Sequence, residues 1–175
     1  MRRLIPLLLI VPLLLVPTAC KKKRRPAVAK ASEDGGLATM LQVADPRAAV
    51  QLLKGFYPVE NQAWRWTQSK FTVSLRPPRT GAQNGARLVL KFVLPDVVLQ
   101  KLHSLKLSAK VNGIDLAPEE YTRPGEQTYS RDVPAIALPA TAVSVDFALD
   151  KFLPPTPADN RELGIIVSAV GFEAK

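Results

Sequence analysis

From residue 71 onward, apolar and polar side chains alternate. Phe71, Val73 and Leu75 are separated by Thr72 and Ser74, and Pro77 and Pro78 close the run. Leu88, Leu90, Phe92 and Leu94 form a second run after a turn-rich stretch at residues 80–85. The cleanest pattern is Leu105, Leu107, Ala109 and Val111 alternating with Lys106, Ser108 and Lys110. Asn112 and Gly113 follow it, a strong hairpin signal, and Ile114 and Leu116 begin a return strand. Residues 127–133 read as a further strand, although Ser130, Arg131 and Asp132 interrupt its apolar face, and Val143, Val145, Phe147 and Leu149 mark another. Residues 164–172 are apolar on both faces, as in the middle of a sheet. A period of two means one buried face per strand. The chain is thus expected to be mostly β, an antiparallel β-sandwich of jelly-roll or Greek-key form with about seven or eight strands. Its prolines fall mainly between the runs, where they discourage mispairing at sheet edges.

Before this region the period differs. Asp45 can cap a helix, Pro46 suits its first position and Gly55 can end it, so one short helix is expected near residues 46–54. Leu41, Val50, Leu53 and Leu52 would face inward. Residues 37–175 then form a single β-sandwich domain. Residues 20–36, rich in charge, Ala and Gly and without apolar periodicity, read as a flexible basic tether hinged at Gly35 and Gly36.

Residues 1–19 have the layout of an export signal: Arg2 and Arg3, then an apolar run over residues 4–16 that is short for a membrane span and carries Pro6 and Pro12. The run closes on Val16, Pro17, Thr18, Ala19 and Cys20. This ending resembles the lipobox of bacterial lipoproteins, although Pro17 stands where Leu is usual. The resemblance implies cleavage before Cys20, lipidation of Cys20 and a place in the cell envelope. The resemblance also implies sorting: with Lys21, rather than Asp, after the Cys, it favours the periplasmic face of the outer membrane over the inner membrane. The basic residues 21–25 would lie against lipid headgroups and add about 1 kcal/mol per charge near an anionic surface. The alternative is an uncleaved, inverted anchor, because cations after an apolar segment tend to stay in the cytoplasm.

Charge removes one class of partner. Arg2 and Arg3 contribute two positive charges and residues 20–36 a net four, so only +3 of the formal +9 belongs to residues 37–175. A nucleic-acid-binding domain concentrates its cations on the folded surface; no nucleic-acid partner is expected. Chemistry is equally sparse. One Cys and one His, His103, give no thiolate zinc site and no His pair. Ser104 lacks the flanking glycines of a nucleophile elbow, and there is no phosphate-binding or calcium loop. Glu119 with Glu120, or Asp159 with Glu162, could make a glycosidase couple only at a suitable separation. The expectation is therefore no enzyme, no catalytic or metal-binding residue and no cofactor.

Two segments stand out: Gly55, Phe56, Tyr57 leading through Glu60 and Trp64 to Arg65, Trp66 and Thr67; and Arg161, Glu162, Leu163, Gly164 before the last strand. Together they resemble the small galactose-binding-like β-sandwich modules that accompany some bacterial glycosyltransferases and cell-surface proteins. The resemblance implies a fold and an envelope setting, with no catalytic residues. In a ligand-binding reading, Trp64, Trp66 and Tyr57 present rings to a sugar, and Arg65, Glu60 or Arg161 bonds its hydroxyls. In a structural reading, Trp66 packs into the core, and Arg161 or Arg65 pairs with Glu60 or Glu162 to tie the first long strand to the last. Trp64 is assigned to the face opposite Trp66, which makes it the ligand candidate, whereas Glu60, Trp66, Arg161 and Glu162 are assigned structural roles. The partner is then a saccharide or, alternatively, another envelope protein docked by an assembly subunit with no small-ligand site.

Overall fold

The computed structural model describes residues 36–175; the expected signal peptide, lipidated Cys20 and nearly all of the tether lie outside the described residues. Nine strands occur among them: β1 Met40–Gln42, β2 Leu52–Phe56, β3 Arg65–Leu75, β4 Ala86–Leu94, β5 Leu105–Val111, β6 Ile114–Tyr121, β7 Gly125–Val133, β8 Val143–Leu149 and β9 Ile166–Ala174. Two helices, α1 Gly81–Asn84 and α2 Asp96–Leu102, and 3-10 turns at Pro46–Gln51 and Ala135–Ala137 connect them.

The antiparallel pairs are nested. β5 pairs with β6, β4 with β7, β3 with β8 and β1 with β9. The innermost pair turns at Asn112 and Gly113, both with positive φ, as a type I′ hairpin requires. Lateral pairing of β9 with β4 and of β8 with β5 closes this long folded ribbon into two sheets, β1·β9·β4·β7 and β2·β3·β8·β5·β6. This is a jelly roll, the sandwich form expected from the alternation.

Each sheet buries one face against the other. Phe71, Val73 and Leu75 of β3, Phe147 of β8 and Leu107 of β5 meet Leu88, Leu90 and Phe92 of β4 and Val170 and Phe172 of β9 in a single core. The Phe71 ring stacks on Phe147 with centroids 4.9 Å apart, and Phe92 meets Tyr121 edge-on across the sheets at 5.0 Å. β9 lies between β4 on one side and β1 and β3 on the other, the central position expected for its apolar run, and its residues from Val167 to Phe172 are buried except Ser168.

β3 belongs to both sheets. Arg65 and Trp66 pair with Val167 and Ile166 of β9, whereas residues 70–75 pair with β8. The transfer occurs at Thr67, which is fully buried. Its Oγ1 accepts the Ile165 N–H at 3.3 Å and donates to the Ile165 carbonyl at 3.3 Å. Gly164 makes this approach possible: a Cβ there would lie 2.9 Å from the Gln68 carbonyl oxygen and 2.6 Å from Leu149 Cδ1.

The edge strands β6 and β7 are latched where the two sheets end. Arg131 donates to the Ala117 carbonyl at 2.8 Å and pairs with Glu119 at 2.8 Å, its guanidinium lying 4.8 Å from the Tyr129 ring centroid. Tyr129 donates its hydroxyl to the Ala117 carbonyl at 2.9 Å, and burial pushes its pKa up from 10.0 to about 12.

The short helix expected near residues 46–54 is instead a 3-10 turn ending at Gln51, followed by a strand. Asp45 does cap it, accepting the Arg47 N–H at 2.9 Å. A 3-10 turn brings different positions inward: Ala48 and Gln51 are buried, while Val50 is 76% and Leu53 55% exposed. Gln51 satisfies the Ala38 and Ser74 carbonyls through its amide nitrogen, at 3.1 and 2.7 Å. Gly55 has φ +77°, but inside β2, where its backbone lies against Lys70 and Phe71 and leaves no room for a side chain. The strand count exceeds the expected one because β1 is too short to show a period and β2 lies within the expected helix. The helix α2 was not expected either; it ends at the exposed His103, with φ +62°.

Thr67→Val is expected to lower unfolding stability by about 1–3 kcal/mol, since it leaves the Ile165 N–H buried and unpaired. Val50→Ala should stay within about 0.5 kcal/mol of the parent chain. Urea denaturation measures both, and a costly Val50→Ala would contradict the 3-10 register.

Candidate binding site

Strand alternation that points Phe71, Phe147 and Leu107 inward points their neighbours outward from the β2–β6 sheet. One register row crosses all five strands there: Asp115, Lys110, Asp146, Thr72 and Lys54 are successive cross-strand partners. The next row pairs Ser108 with Ala148 and Ala148 with Lys70. Small side chains at Thr72, Ser108 and Ala148 leave a trough between the longer lysines and aspartates, a groove of about 370 Å³. Thr72 Oγ1 donates to Asp146 Oδ1 at 2.7 Å and fixes that carboxylate; Lys110 Nζ lies 3.3 Å from Asp115 Oδ1. Ser108 Oγ donates to the Ala148 carbonyl at 3.2 Å. The groove thus offers hydroxyl, carboxylate and ammonium groups over a short span.

The residues singled out in the sequence gather elsewhere, around the turn at residues 60–64. Glu60 N–H bonds the Trp64 carbonyl at 2.9 Å, and Asn61 and Gln62 take positive φ to make that turn. Arg161 reaches across to it: Nη1 donates to Glu60 Oε1 at 2.6 Å, while Nη2 and Nε grip Asp159 at 2.9 and 3.0 Å. The guanidinium also lies 5.3 Å from the Tyr57 ring centroid, so Arg161 occupies that ring face. Hydrogen bonds from Arg161 hold the Asp159 carboxyl below its ordinary 3.8, and Asp159 and then Glu60 push Arg161 upward. Arg65 spends its donors on the Val43 carbonyl at 2.7 Å and the Tyr57 carbonyl at 3.1 Å. Glu162 Oε1 accepts the Ser69 N–H at 2.5 Å.

Trp64 and Trp66 lie on the same side, with ring centroids 6.5 Å apart in an edge-to-face contact. The expectation of opposite faces is corrected: residues two apart in an extended chain share a face. Trp66 packs against the core, and both rings are half-buried. The arrangement therefore ties residues 57–66 to residues 159–162, and a smaller cleft of about 260 Å³, lined in part by Lys101, Leu153 and Thr156, flanks Arg161. The groove residues carried no motif that could have singled them out. Each was visible only as the polar half of an alternating strand.

No family model matches the chain, and no curated protein matches it. Among solved structures it is similar to the CBM36-1 domain of a multidomain xylanase from the hindgut metagenome of Trinervitermes trinervoides. That likeness has 9% identity and a TM-score of 0.43, covering 78% of this chain and 97% of that one. It is also similar to the CBM51-2 and INT domains of Clostridium perfringens ZmpB, with 13% identity and a TM-score of 0.37, covering 79% of this chain and 29% of that one. The same ZmpB domains with GlcNAc bound to CBM51-2 give 12% identity, a TM-score of 0.36 and coverage of 79% and 28%. The chain thus spans less than a third of the ZmpB structures. No functional residue is carried over from any of them.

A lowered carboxyl pKa stabilises the fold above the ordinary value of 3.8 and loses that contribution as the pH falls through the lowered folded value. In Arg161→Gln the Asp159 titration, followed by carboxyl-carbon NMR, is expected to move back up toward 3.8. An unmoved titration would mean that Arg161 does not hold Asp159.

Proposed function

We propose that this chain is a non-catalytic binding module that takes a saccharide in the groove on the outer face of the β2–β6 sheet, held at the cell envelope by lipid on Cys20. One observation carries the ligand reading: the register row Asp115, Lys110, Asp146, Thr72 and Lys54 beside a floor of Ser108 and Ala148. A polyhydroxylated ligand needs donors and acceptors at several points, and this row supplies both. Its volume falls in the range of small-ligand clefts. A partner protein docked through this sheet would want a flat apolar face; the charged trough favours the saccharide over that alternative.

Three of the four carboxylates considered for hydrolysis have fixed tasks and the fourth, Glu120, is exposed, which supports a binding role without catalysis. Asp159 is gripped by Arg161, Glu162 accepts the Ser69 N–H and Glu119 pairs with Arg131. The envelope setting rests on the sequence of residues 1–25, with the basic run beside Cys20 supplying a second membrane-binding element.

Screening the full chain against an array of envelope and plant polysaccharides tests the ligand reading. At least one should bind, with affinity falling more than about tenfold in Asp146→Ala, the loss of a charged hydrogen-bonding partner, and holding in Trp64→Ala. No binding to any glycan contradicts the reading, and loss in Trp64→Ala alone moves the site to the turn at residues 60–64. For the anchor, mass spectrometry of the mature protein should find acylated Cys20 at the N-terminus. An unmodified Cys20 or retained residues 1–19 contradicts it.

A further inference from the structure

The charges in the groove are unequally used. Lys110 is paired with Asp115, and Asp146 is engaged by the Thr72 hydroxyl. Lys54 and Lys70 enter no ion pair among the described residues. Both are exposed, and both line the groove. They stand on adjacent strands beside Thr72: Lys54 is its cross-strand partner, and Lys70 is two residues before it on the same face of β3. Like charges placed so close on one sheet face repel each other.

The backbone brings this about. Leu52 pairs with Val73, so an unbroken ladder would set Leu53 opposite Thr72. A register shift between Leu52 and Lys54 sets Lys54 there instead. A bulge of this kind re-aims a side chain, and here it exchanges an apolar residue for a cation at the groove wall. Gly55, with φ +77°, then lets the β2 backbone close against the Lys70 carbonyl and Phe71, which holds the two lysine-bearing strands together. The lysines are therefore held side by side at one wall of a polar trough.

We infer that Lys54 and Lys70 form an anion-reading wall and that the groove takes an acidic saccharide, one whose sugar rings carry carboxylates. This rests on the saccharide reading of the same groove. A ring carboxylate between the two ammonium groups would relieve their repulsion and accept a charge-assisted hydrogen bond from each. Neighbouring ring hydroxyls would donate to the free oxygen of Asp146 and to the Ser108 hydroxyl oxygen, whose own hydrogen is held by the Ala148 carbonyl. Ammonium groups are compact point charges on flexible stems, so the wall tolerates different linkages so long as the acid group recurs.

The test is calorimetric titration of the full chain with oligogalacturonate, alginate and hyaluronan oligosaccharides, and with neutral galactan and mannan oligosaccharides of equal length. At least one acidic ligand should bind about tenfold or more tightly than the neutral ones at low ionic strength, and the ratio should shrink between about 50 and 500 mM salt. Lys54→Gln with Lys70→Gln should collapse that ratio, and Lys70→Arg, which keeps the charge, should retain it. Equal or tighter binding of the neutral ligands overturns the inference and leaves the saccharide reading standing. Binding by neither set overturns both. Acidic binding that survives the lysine changes but disappears when residues 21–25 are neutralised assigns it to the tether and overturns the inference. Inorganic polyphosphate binding as tightly as any saccharide, and lost with the same lysines, would show a general anion site and overturn both readings.

Discussion

Everything in this fold depends on how β3 passes from one sheet to the other without leaving its backbone unpaired. A buried strand that leaves one partner before reaching the next exposes donors and acceptors to an apolar core, where water cannot reach them. Thr67 solves this locally. Its hydroxyl accepts from and donates to Ile165, while its own N–H bonds the same carbonyl at 2.9 Å and its carbonyl accepts the Gly164 N–H at 2.8 Å. A hydroxyl can play both parts at once; an aliphatic side chain of the same shape can play neither. Because β3 is continuous through this point, the two sheets share one element, and their separation is set by the chain itself.

That constraint reaches the surface. The stacked Phe71 and Phe147 rings hold β3 and β8 in register from inside, so the residues between them in sequence, Thr72 and Asp146, are held together outside. The hydrogen bond between those two side chains is then a consequence of core packing as much as of their own chemistry. The groove is shaped by strand register, and neither a loop nor a moving element is needed to assemble it. Two irregularities contribute: the bulge and glycine of β2 place Lys54 at the rim, and the register of β5 against β6 shifts at Ser108 in the floor.

The strands from β3 to β8 were legible because each buries one face in a single core, and burial imprints a period of two on the sequence; β9 was legible as an apolar run on both faces. The Asn112 and Gly113 turn was legible because few residue pairs tolerate positive φ at both positions. β2 was misread because Asp45, Pro46 and Gly55 are helix punctuation by local rules, while its pairing with β3 is a tertiary fact that joins residues 11 to 21 positions apart. The cluster of Tyr57, Glu60, Arg161 and Glu162 could be guessed from unusual residues near strand ends, and the structure brings all four to the same end of β3. The groove could not. Lys54, Lys70, Lys110 and Asp146 come from four strands, and only the register, which the alternation leaves undetermined, sets them side by side.

The central claim is that the ligand lies along the register row on the outer face of the β2–β6 sheet, away from the tied loops at residues 57–66. Amide NMR spectra of the full chain, recorded as a bound oligosaccharide is added, test this most directly. The account predicts shifts concentrated at Lys54, Lys70, Thr72, Ser108, Lys110, Asp146 and Ala148. Shifts confined to Tyr57, Glu60, Trp64 and Arg161, with the row unmoved, would contradict it.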